Sequence, residues 1–154
     1  MITMLKNLNF NGGLKMKYIE KITPEKFYVE LNEMIKSGSW ASHLLSNVEL
    51  FMDKYKSNPE KIIEIISEFI VNSANEIDDY YKTLTDDEYM DIVDYPDDIR
   101  KIQNDFSDMG FIISPLEAEA IWVIRSNNWC AQWLDISGLN TFIECVLFCI
   151  IQPY

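Results

Sequence analysis

The stretch NPEKIIEIISEFIVNSANEIDDYY, residues 58–81, decides the fold. Its apolar positions Ile62, Ile63, Ile66, Phe69, Ile70, Ala74, Ile77 and Tyr81 recur at three- and four-residue intervals for more than five turns. That spacing places them on one stripe of an α-helix, because a helix turns every 3.6 residues, whereas a strand would need strict alternation. Pro59 suits the first helical position, where its missing N–H costs nothing. The stretch therefore reads as a long amphipathic helix that buries one face.

The same punctuation recurs on both sides. Thr23-Pro24 supplies an N-cap and a proline start, and Phe27, Leu31, Met34 and Ile35 follow until Gly38, predicting a helix over 24–37. Leu44, Leu45, Val48, Phe51 and Met52 predict a second over 40–56. Thr85 and Glu88 have capping-box spacing and open a short helix that stops before Tyr95-Pro96. Pro96 starts the next, with Ile99, Ile102, Phe106 and Met109 inward and Gly110 as its stop. Ser114-Pro115-Leu116-Glu117 joins a capping box to a proline start. The span 121–134 is compatible with a short hairpin around Ser126-Asn127-Asn128, but the strong start signal favours helix. Residues 139–151 are apolar on nearly every side apart from Glu144, which predicts a central helix. The expected fold is all-α, an irregular bundle of six or seven helices.

With 154 residues, 48% hydrophobic and 13% aromatic, the chain can fill one core. Asn11-Gly12-Gly13-Leu14-Lys15 before Met16 can be encoded as a ribosome-binding sequence followed by a start codon. Residues 1–15 are accordingly read as a flexible extension, with translation starting at Met1 or Met16, and 16–154 as the domain. No continuous apolar run precedes Asn7, so no signal peptide is expected. Cys130, Cys145 and Cys149 are too few for a disulfide framework, and Cys145 and Cys149 have apolar neighbours. They are read as buried, inert thiols, and a reducing cytoplasm as the simplest location.

Net charge is -12, unevenly spread. Residues 1–75 hold nine acids and nine bases, whereas 76–108 hold twelve acids against Lys82, Arg100 and Lys101. Such a field repels nucleic acid and accelerates association with a basic protein. Half of the eight tyrosines, Tyr80, Tyr81, Tyr89 and Tyr95, lie in the same stretch. Tyrosine offers large contact area with few rotors to freeze, and carboxylates pair with Lys and Arg. The candidate partner-binding residues are Asp78, Asp79, Tyr80, Tyr81, Asp86, Asp87, Glu88, Tyr89, Asp91, Asp94, Tyr95, Asp97 and Asp98. A solvated face that only keeps the protein soluble has the same composition.

Chemistry-bearing motifs are sparse. His43 is the sole histidine, which removes di-iron ligand sets and leaves any triad resting on that one residue. The acids of 86–98 contain no glycine and no EF-hand spacing, so no metal site is expected. Neither a P-loop nor Gly-x-Gly-x-x-Gly occurs, and no cofactor is expected. Trp122, Trp129 and Trp133 at helical spacing read first as core and second as interface.

In size and in the segment DDYYKTLTDDEYMDIVDYPDDIR, Asp78 to Arg100, the chain resembles the immunity proteins that neutralise bacterial nuclease toxins. The resemblance implies a non-enzymatic inhibitor that blocks a basic partner by occlusion, without binding nucleic acid or membrane itself. The alternatives are a nucleic-acid mimic from a mobile element, which requires carboxylates along an elongated face, and a helical enzyme without recognisable motifs. A compact acidic patch with tyrosines inside it would separate the inhibitor from the mimic.

Overall fold

The computed structural model describes residues 22–37, 42–88, 96–126 and 141–151, with the backbone alone for 42–44 and 125–126. The described residues are all-α, with helices α1 (Pro24–Ser37), α2 (Ser42–Lys54), α3 (Pro59–Tyr81), α4 (Pro96–Asp108), α5 (Pro115–Ser126) and α6 (Phe142–Ile151). Prolines stand at the first positions of α1, α3, α4 and α5, as the sequence predicts. No described residue is in a strand, and Ile121 to Ser126 are helical, which removes the first arm of the hairpin alternative. Its second arm, the extension 1–15, Tyr89, Asp91, Asp94, Tyr95, Trp129 and Trp133 lie outside the described residues.

The decisive stretch forms a 23-residue helix and buries Ile62, Ile63, Ile66, Ile70, Val71 and Ala74 along its stripe. Each isoleucine removed from water contributes roughly 1.5–3 kcal/mol before conformational entropy is subtracted. α5 packs between α3 and α4, and α1 packs on α3. α6 touches α2, α3, α4 and α5. Eight of its ten residues are buried, which gives it the predicted central position.

Sequence spacing puts Leu45 on the inward stripe of α2, yet it is exposed. It lies in the first turn of the helix, and the stripe closes only from Val48 through Phe51 and Met52. The Tyr28 hydroxyl donates to the Met52 carbonyl at 3.2 Å and fastens α2 to α1.

Helix α4 ends on Gly110, which has φ of +94°. The Phe111 N–H reaches back to the Phe106 carbonyl at 2.8 Å, and the Gly110 N–H to that of Ser107 at 2.9 Å. These two bonds make a Schellman motif, whose left-handed position glycine adopts without a Cβ penalty. The apolar contact that accompanies the motif joins Phe106 to Phe111, ring centres 6.1 Å apart at 81°. Phe111 also meets Phe27 edge-on at 5.5 Å, so the stop signal of α4 is built into the core. A Cβ on Gly110 would lie 2.4 Å from Cγ1 of Ile22, a second reason for glycine there.

Two capping boxes are buried. The Ser114 N–H donates to Glu117 Oε1 at 2.7 Å, and the Glu117 N–H to Ser114 Oγ at 3.1 Å, with Glu117 fully buried. Thr141 and Glu144 start α6 similarly, the Glu144 N–H donating to Thr141 Oγ1 at 3.1 Å and the hydroxyl to Glu144 Oε1 at 3.3 Å. The Thr141 hydroxyl thus takes up a donor that the first turn leaves open, and Glu144 enters an apolar helix as the acceptor for that hydroxyl.

The thiol expectation needs correction at one residue. Cys145 is disulfide-bonded, its partner sulfur lying outside the described residues. Cys149 is the free thiol, and burial pushes its pKa up to about 11, which makes it unreactive at neutral pH. A disulfide depends on two Cα atoms coming within about 7 Å, which spacing along the chain does not reveal. The cysteine count therefore no longer argues for a reducing compartment. No helix among the described residues is long and apolar enough to cross a membrane.

Candidate protein-binding face

The last turn of α3 carries Asp78, Asp79, Tyr80 and Tyr81. Asp79 and Tyr80 point outward, Tyr80 being 49% exposed, while Asp78 and Tyr81 are half-buried. The two rings lie against each other with centres 6.1 Å apart. Lys82, one turn beyond Asp78, pairs with it at 2.9 Å, and that hydrogen bond holds the ammonium above its ordinary pKa. Asp78 is thereby partly neutralised within the chain.

Beyond α3 the chain turns through Lys82 to Leu84, and Thr85 caps a new helical turn as predicted. The Thr85 N–H donates to Glu88 Oε1 at 3.0 Å and the Glu88 N–H to Thr85 Oγ1 at 3.2 Å. The bond from the Thr85 backbone holds the Glu88 carboxyl below its usual range. Glu88 is thus occupied as a cap, whereas Asp86 and Asp87 project into solvent.

At the far end, Pro96, Asp97 and Asp98 form the exposed first turn of α4, where carboxylates complement the positive end of the helix dipole. Arg100 pairs with Asp97. Asp98 accepts the indole N–H of Trp122 at 3.3 Å.

Trp122 belongs to α5, and so does Glu119 one turn before it. Burial raises the Glu119 carboxyl above its usual pKa, and the nearby Tyr81 hydroxyl partly offsets that rise. Adjacent turns of α5 therefore meet the two ends of the acidic stretch, Glu119 lying beside Tyr81 and Trp122 bonding Asp98.

Glu119 and Trp122 were not among the residues that charge counting selects. Trp122 reads as core from its spacing, but it is half-buried at the core's edge with its polar atom at the surface. Among the described residues no three His, Cys, Asp or Glu side chains gather to hold a metal ion. The side chain of His43 lies outside the described set. Comparison with protein families, with curated proteins and with solved structures finds no match for this chain.

Proposed function

We propose that the chain is a protein-binding module of the immunity type, an inhibitor that blocks a basic, nuclease-type partner by covering its cationic groove. The supporting observation is that both described ends of the acidic stretch meet α5 on adjacent turns, Asp98 through its bond with the Trp122 indole and Tyr81 beside Glu119. Carboxylates and the exposed Tyr80 carried on elements that pack against one helix suit occlusion, in which an aromatic side chain works together with surrounding acids. A mimic of duplex nucleic acid would call for carboxylates strung along an elongated face instead.

In this reading Asp79, Asp86 and Asp87 steer the partner and pair with its Lys and Arg side chains, while Lys82 and Arg100 hold Asp78 and Asp97 in place. Steering of this kind weakens as added salt shortens the Debye length, about 10 Å at 0.1 M. The test is a pull-down from the source cell and its neighbours, then reversal of Asp79, Asp86 and Asp87 to lysine on the captured complex. Loss of binding, with an association rate that falls steeply as salt rises, is the expected result. Unchanged binding after the reversal, or a rate indifferent to salt, would sink the proposal.

A further inference from the structure

Between α3 and α5 a cavity of about 160 Å³ opens to the surface, lined by Ser73, Glu76 and Ile77 on one side and Ala120, Val123 and Ile124 on the other. Its origin is a small residue in a helix seam. Ala120 offers only a methyl group where the facing Ile77 leaves room for more, and protein interiors otherwise close such gaps. Ile77, Val123 and Ile124 are half-buried, so the walls are apolar and reachable from outside.

The slot also adjoins the acidic face. Ser73, Glu76, Ile77 and Tyr80 follow one another at the spacing of a single helix ridge, so the exposed Tyr80 stands one turn beyond the slot. Glu76 forms its rim, the exposed Asp79 stands one turn further along α3, and no basic side chain among the described residues lines it. Apolar walls beneath an acidic rim fit one kind of occupant, an aliphatic side chain carried between Lys or Arg residues.

We infer that this slot is the anchor point of the face: it takes one Leu- or Ile-sized side chain of a basic partner segment, while Glu76 and Asp79 pair with the flanking cations and Tyr80 packs over them. The inference rests on the basic-partner reading above and adds to it a requirement for an apolar residue. Charge alone predicts no such preference, because carboxylates do not distinguish leucine from serine.

The experiment uses the full chain and two lysine-rich peptides that differ only in a central Leu or Ser, with binding followed by fluorescence anisotropy at low salt. Burying the leucine should make its peptide on the order of tenfold tighter. Val123→Phe, which fills the slot without altering charge, should erase that preference. Ser73→Phe fills it from the half-exposed rim and serves where the first variant unfolds. Charge reversal at Asp86 and Asp87 should weaken both peptides and leave their ratio intact. Equal affinity for the two peptides, or a preference that survives Ser73→Phe, overturns the slot and leaves the acidic face standing. Failure of both peptides to bind overturns the two together.

Discussion

The indole N–H of Trp122 donates to the Asp98 carboxylate across 3.3 Å, joining the middle of α5 to the first turn of α4. A neutral donor on an ionised acceptor at a partly exposed site contributes about 0.5–1.5 kcal/mol. Trp122→Phe keeps most of the ring contact and loses the bond. A double-mutant cycle with Asp98→Ala should return a coupling energy of about 0.5–1 kcal/mol in urea unfolding. A coupling indistinguishable from zero would mean that the bond does not hold the start of α4.

Glu119 gives the bundle a pH dependence with a definite sign. Its folded-state carboxyl is raised above 4.5, mainly by burial, so the folded protein prefers the neutral form. Its contribution to stability is fully present below about 4.5 and is lost as pH rises through the raised folded value. Glu119→Gln should therefore stabilise the protein at pH 7 and have little effect at pH 4. Denaturant midpoints of both proteins across that range check it, and a variant less stable at pH 7 would show that the favourable interaction with Tyr81 outweighs burial.

The capping boxes at Ser114/Glu117 and Thr85/Glu88 have the same spacing and different surroundings. Glu117→Ala leaves a buried backbone donor facing protein and should cost about 1–3 kcal/mol. Glu88→Ala exposes its donor to water and should cost about 0.5 kcal/mol or less. Thermal melts of the two variants should differ clearly, since about 1 kcal/mol shifts the midpoint by roughly 2–4 °C in a chain this long. Equal losses would contradict the difference in burial.

Gly110→Ala meets two penalties at once. The backbone angle of +94° disfavours any side chain, by roughly 1–2 kcal/mol. The new methyl would also press on Ile22. Ile22→Ala in the same chain should recover the second part and not the first. If the double variant is no more stable than the sum of the two single changes predicts, the contact is not limiting.

How far the sequence reveals this molecule follows from what is local in it. The proline starts of α1, α3, α4 and α5, the Thr85 and Ser114 boxes and the Gly110 stop all rest on residues within a turn of one another, so pattern suffices. The Thr141 box escaped because the apolar run after it dominates the reading. Leu45 was misassigned because periodicity gives the azimuth of a residue and not how far along the helix its neighbours extend. The acidic stretch was visible as charge, but its attachment to Glu119 and Trp122 was not. Those contacts span 38 and 24 residues and depend on α5 lying between α3 and α4, which no local signal encodes.

Because α3 and α4 both pack on α5, the segment that joins the end of one to the start of the other has its two ends anchored by the bundle. Closing a longer loop adds entropy only logarithmically, about 0.6 kcal/mol for each doubling of length. Insertions and substitutions between those two anchors would therefore leave the helices almost as stable as before. The scaffold and the surface it displays are mechanically separable, and such a chain can change what it recognises without having to refold.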